Sequence, residues 1–174
     1  MQDTECVQQI LRLLYHEQFE LSEPQETDIR QWARTEQIGE CTLQEIVASL
    51  SERGLVRVTD EPLSCRLSAK GTFWVEDSGL VPAHSATHQF AVRLALLQAL
   101  SLYSQNREAA CCVTALAERA GVSSVDCGRC LPILEDAGWA RTDAAGRSAI
   151  TVKGLQTLHE WRIDLRSRVS GDQF

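Results

Sequence analysis

Apolar residues recur along this chain at two alternating spacings, and the alternation runs through the same order twice. Val7, Ile10, Leu11, Leu14 and Phe19 fall three or four apart, which predicts a helix over Cys6–Glu20 with one buried stripe. Pro24 breaks it. A second helix is predicted over Thr27–Gln37, with Ile29, Trp32 and Ala33 inward, and a third over Thr42–Arg53 beyond Gly39. Leu55–Val58 and Cys65–Ser68 then read as short strands around a turn, Thr59–Ser64, that carries Asp60, Glu61 and Pro62. Ala69–Asp77 closes the set as a helix.

The second pass begins after Ser78–His88, the only linker-like stretch. Phe90–Ser104 is a helix apolar on more than one face, as suits an element buried between repeats or in a dimer. Val113–Ala120 follows and Gly121 ends it, since glycine takes the left-handed cap conformation cheaply. Ser123 or Ser124 can cap the next helix, on which Cys127, Cys130, Leu131 and Leu134 share a face. Trp139–Thr142 and Ala149–Val152 are predicted strands around Asp143–Ser148, which includes Gly146. Lys153–Arg168 is a final helix.

The two passes are one pattern. A shift of 84 positions lays Leu116 on Trp32, Cys127 on Leu43, Cys130 on Ile46, Leu134 on Leu50 and Gly138 on Gly54. With one residue deleted in the hairpin, Ile150–Gly154 (ITVKG) falls on Leu67–Gly71 (LSAKG). Helix, tight turn, helix and hairpin in this order make a winged helix-turn-helix. The motifs LxxxGLVRV and LSAKG resemble winged-helix transcription regulators of the MarR and PadR type. The resemblance implies a mainly α chain with small β-hairpin wings (α+β), built as two winged-helix repeats in tandem. Residues 1–80 form the first, 81–88 a linker, and 89–174 the second with its C-terminal helix. Such a resemblance carries a fold more firmly than an activity.

Composition narrows the setting. The chain has 174 residues, 44% hydrophobic and 24% charged, ordinary for a globular protein. No apolar run is long enough to span a membrane, and the acidic N-terminus lacks the pattern of a secretory signal. Seven cysteines, an odd number, fit a reducing cytoplasm with mostly free thiols. Charge divides unevenly. Residues 1–80 hold 15 Asp+Glu against 7 Lys+Arg, while residues 81–174 hold 9 against 10. Affinity for nucleic acid needs cations near phosphates, so any contact with double-stranded DNA belongs to the second repeat.

The candidate chemistry follows from that division. A winged helix reads DNA with the second helix of its motif. Its outward positions here are about Ser124, Asp126, Gly128, Arg129, Pro132 and Ile133. Ser124, Arg129, the wing residues Arg141 and Arg147, and Lys153 are therefore the expected DNA contacts. Pro132 removes a helical hydrogen bond and either bends this helix or delays its start. The first repeat offers Thr42, Gln44, Glu45, Ser49 and Glu52 outward, a set that phosphates repel and a protein partner suits. In the last helix Leu155, Leu158, Trp161 and Leu165 are spaced for a homodimer interface or for packing back on their own repeat.

Cys111, Cys112, Cys127 and Cys130 suggest a metal or redox site. The repeat favours packing instead, because Cys127 and Cys130 stand where the first copy has Leu43 and Ile46. No metal, cofactor or catalytic residue is expected: no phosphate loop, nucleophile elbow or HExxH occurs, and His84 and His88 read as solvated linker residues. The expected function is a cytoplasmic, non-enzymatic transcriptional regulator that binds DNA through its second repeat. The alternative is an assembly module that binds proteins, like the ScpB-like partners of chromosome-segregation complexes or the ESCRT-II subunits.

Overall fold

The computed structural model describes residues 2–21, 27–58, 63–105 and 112–171, with side chains placed from residue 4 to residue 164 within them. The expected break at Pro24, the turn residues Asp60, Glu61 and Pro62, Cys111, and the side chains of Leu165, Arg166 and Arg168 lie outside the described residues. The chain is mainly helical with small antiparallel strand pairs, an α+β fold. It divides into two compact units, Met1–Thr87 and His88–Phe174.

The first unit opens with α1 (Gln2–Phe19), whose Ile10, Leu11, Leu14 and Tyr15 are buried. A two-residue strand, β1 (Thr27–Asp28), and a short α2 (Arg30–Thr35) replace the single helix expected over Thr27–Gln37. The reason is local. Asp28 accepts a hydrogen bond from the Arg30 amide at 2.9 Å, which turns the chain and starts the helix later. Then come α3 (Glu40–Glu52), β2 (Val56–Val58), β3 (Ser64–Leu67) and α4 (Ala69–Asp77). The strands form one antiparallel sheet in the order β1-β3-β2, with Arg57 opposite Arg66. Helix α1 packs on β3 and α4, and Tyr15 Oη donates to Glu76 at 3.1 Å across that contact.

The second unit takes in most of α5 (Ala83–Gln105), then α6 (Val113–Ala120), α7 (Ser124–Asp136), β4 (Ala140–Thr142), β5 (Ser148–Ile150) and α8 (Val152–Gly171). Helix α5 starts at Ala83, inside the stretch 81–88 expected to be a linker. The Pro82 carbonyl accepts the first helical hydrogen bonds, and nothing in AHSATH interrupts the helix. Helix α7 begins at Ser124 and runs through Pro132 unbroken.

Two elements recur at one interval. Helix α7 starts and ends 84 positions after α3, and β4 does the same after β2. Burial recurs with them: Leu43, Ile46, Val47 and Leu50 are buried in α3, and Cys127, Cys130, Leu131 and Leu134 in α7. The tight turn between the paired helices needs a left-handed residue. In the second unit that residue is Gly121 (φ 69°), and in the first it is Gln37 (φ 58°), 84 positions earlier.

The joint between hairpin and following helix is also repeated atom for atom. Ser68 Oγ accepts from the Gly71 amide at 2.9 Å and donates to the Gly54 carbonyl at 2.6 Å. Thr151 Oγ1 accepts from the Gly154 amide at 3.0 Å and donates to the Gly138 carbonyl at 2.7 Å. Lys70 Nζ donates to the Arg53 carbonyl, and Lys153 Nζ to the Ala137 carbonyl, at 2.8 and 2.7 Å. Each lysine thus holds the C-terminal end of α3 or α7, where a cation is favoured. The glycines let backbone meet backbone. A Cβ on Gly71 would lie 1.9 Å from the Leu55 oxygen, and one on Gly154 would lie 2.1 Å from the Trp139 oxygen.

Two stability predictions follow from these positions. Gly71→Ala and Gly154→Ala each destabilise by about 3 kcal/mol or more in denaturant unfolding, because a backbone carbonyl cannot yield as a side chain does. Gly128→Ala is the control: it adds a Cβ in open space within a helix and stabilises by up to about 1 kcal/mol. Gln37→Gly relieves a left-handed non-glycine residue and gains about 0.5–1 kcal/mol.

Candidate interaction surfaces

The residues expected to contact DNA do not share one set of surroundings. Ser124 is exposed at the start of α7, and the cap is its neighbour: Ser123 Oγ accepts from the Asp126 amide at 3.0 Å and donates to the Asp126 carboxylate at 2.7 Å. Arg129 does not face outward as its helical position led us to expect. It is buried, at 9% exposure, and Ile133 one turn later is fully buried. Their counterparts in the first unit, Glu45 and Ser49, are both exposed. Helix α7 therefore buries a wider arc than α3 does. What it leaves open includes Ser124 and Val125, with Asp126, Gly128, Pro132, Glu135 and Asp136 half-buried, and none of these is a cation.

The other expected cations have local duties. Arg147 Nε lies 2.8 Å from the Asp143 carboxylate at the tip of its own hairpin, and a second guanidinium nitrogen lies 2.7 Å from it. Lys153 is the helix clamp described above. Arg141 on β4 remains exposed.

Asp143 organises the hairpin tip. One of its oxygens accepts from the amides of Ala145 and Arg147 at 2.9 and 3.0 Å. These bonds, the Arg147 amide foremost and its guanidinium next, hold the carboxyl below its ordinary value of 3.8. The paired form thus persists as pH falls past 3.8 and is lost only as pH drops through the lower folded-state value.

The stripe expected for a dimer is divided. Leu158 is buried, and the Trp161 ring packs 4.8 Å from Phe90 and edge-on to Trp139 at 5.2 Å, so both serve the second unit's own core. Leu155 is 42% exposed, and Leu165 has no described side chain. The open apolar residues of α8 include Val152 and Ile163, which lie outside the expected stripe.

The cysteines sit where packing puts them. Cys65, Cys127 and Cys130 are buried, and burial pushes the Cys65 and Cys127 thiols up to about 11. Cys127 Sγ donates to the Val113 carbonyl at 3.6 Å, and Cys130 Sγ to Gln89 Oε1 at 3.2 Å. Cys112 caps α6 through its sulfur. Among the described residues no group of three or more His, Cys, Asp or Glu side chains could hold a metal ion, and no helix is long and apolar enough to cross a membrane. His88, expected to be solvated, lies 3.6 Å from Asp126 while its side chain stays largely exposed.

Sequence reasoning missed the role of the two lysines in the joint, although the signal was present. Lys70 stands at the matching place in the acidic repeat, where no DNA contact was expected of it. Family models, curated proteins and solved structures were compared with this chain, and none matches.

The thiol environments predict a labelling order. Iodoacetamide at pH 8 modifies Cys41 and Cys112 in the folded chain and spares Cys65, Cys127 and Cys130 until denaturant is added, as peptide mass spectrometry reads directly. For the hairpin, the Ala145 and Arg147 amide resonances hold their neutral-pH positions down past pH 3.8 and move only below it. In Asp143→Asn they are displaced at every pH.

Proposed function

We propose that this chain is a pair of winged-helix repeats in tandem that acts as a protein-assembly module, with the open face of α3 as its main contact. The interval of 84 positions shared by α3 with α7 and by β2 with β4, together with the repeated joint, supports the architecture. One observation carries the functional choice. Two of the positions on α7 expected to face a major groove, its only cation Arg129 and Ile133, are buried, while their counterparts on α3, Glu45 and Ser49, are exposed. A helix that cannot present its cation reads no base edge. A helix that presents Glu40, Glu45 and Glu52 to solvent repels phosphate and attracts basic protein surface. The DNA-binding regulator is the second reading, and Arg141, exposed on β4, is the observation that favours it.

The two readings separate in one pair of measurements. The full-length tagged chain, cross-linked in extract of its own cells, retains a protein partner in stoichiometric amount. Glu45→Lys with Glu52→Lys reduces that recovery at least about tenfold, since like charges opposed across an interface cost several kcal/mol. A 30-base-pair duplex of mixed sequence shows no retardation at about 50 mM salt. Retardation at 50 mM that disappears near 200 mM, or partner recovery untouched by the double charge reversal, would defeat the proposal.

A further inference from the structure

We infer that a groove in the first unit receives a lysine or arginine side chain from the partner; this rests on the protein-binding reading above. The groove, about 470 Å³, lies between the first turns of α1, the turn joining α2 to α3, and the start of α3. Its lining grades from apolar to charged. Ile46 is buried and Ile38 half-buried, whereas Glu5 and Glu36 are exposed carboxylates, and Gln9 and Gln37 add side-chain amides. An apolar base below acceptor groups is the complement of a side chain with an aliphatic stem and a cationic head. A carboxylate ligand would meet Glu5 and Glu36 and be repelled, and a purely apolar one would leave the amides and carboxylates facing it without partners.

The second unit supplies an internal comparison. Thr42 and Ile46, which line the groove, correspond to Asp126 and Cys130, 84 positions on. There side chains from α5 approach those two residues. His88 Nε2 lies 3.6 Å from Asp126 Oδ1, and Cys130 Sγ donates to Gln89 Oε1 at 3.2 Å. In one copy, then, an imidazole sits beside a carboxylate at this position. In the other the place is open, and Glu36 stands where the second copy has Ala120.

Gln37 points the same way. The turn requires a left-handed residue, and the second copy uses Gly121. The first copy keeps a long amide there, against a conformational penalty of about 1 kcal/mol, and that residue lines the groove.

The test uses the whole ¹⁵N-labelled chain and two capped pentapeptides, Gly-Gly-Arg-Gly-Gly and the same peptide with citrulline, which keeps the shape of arginine without its charge. The arginine peptide shifts the amides of Cys6, Gln37, Ile38 and Thr42 in a saturable manner. Binding falls at least about fivefold for the citrulline peptide, and for the arginine peptide on Glu5→Gln with Glu36→Gln. The substituted side chains are exposed, and an otherwise unchanged amide spectrum verifies the fold. Shifts that map elsewhere, no saturation, or equal binding by citrulline or by the double variant would overturn the inference. The outcomes separate it from the reading it rests on. If the partner is retained and the groove is silent, only the groove falls. If the groove binds arginine and no protein partner is recovered, the site stands and the assembly role falls.

Discussion

In each unit a helix and a strand come so close that a backbone carbonyl occupies the place of a side chain. Gly71 meets Leu55 in the first unit and Gly154 meets Trp139 in the second. Only glycine allows that approach, and the rest of the joint is arranged to hold it. The hydroxyl of Ser68 or Thr151 bridges the glycine amide and the carbonyl that ends the preceding turn. The lysine next to the glycine reaches back to the end of α3 or α7. Hairpin, closing helix and central helix are thereby fixed to one another at a single point. This explains why LSAKG and ITVKG share their lysine and glycine although the surfaces around them differ.

That joint bears on function because it engages a cation. Counting charges along the second half suggests a surface ready for a polyanion, but a count does not say where each charge is held. Lys153 serves the end of α7, Arg147 the hairpin tip, and Arg129 is buried. The acids of the first unit are the opposite case. Glu45 and Glu52 stand on the open side of α3, and Glu5 and Glu36 stand at the groove, so their charge is available to a partner. Arg147 and Lys153 stay exposed, so the contrast lies in the two central helices of the motif: the exposed face of α3 carries carboxylates, and that of α7 carries no cation.

Most of the architecture was legible because it is written twice. Period and the glycine after the second helix, Gly54 and Gly138, agreed between the halves, and α3, α7 and their buried stripes fall where that agreement put them. The misplacements arose where one copy departs from the other. Asp28 turns the chain early and makes β1. Arg129 looked outward from its position on the helix, yet α7 buries a wider arc than α3. The width of a buried arc depends on what packs over a helix, and a single sequence does not encode that legibly. The groove was missed for a related reason: it is assembled from α1, a turn and α3, and its residues form no motif along the chain.

The central claim, that Lys153 belongs to the fold, is tested most directly by denaturant unfolding of Lys153→Ala beside Arg141→Ala. A charged hydrogen bond to an exposed helix end is worth on the order of 1 kcal/mol. The account predicts a loss of about that size for Lys153→Ala, matched by Lys70→Ala, and a change within about 0.5 kcal/mol for Arg141→Ala. An unchanged stability for Lys153→Ala, together with weakened retention of a DNA duplex at low salt, would contradict it.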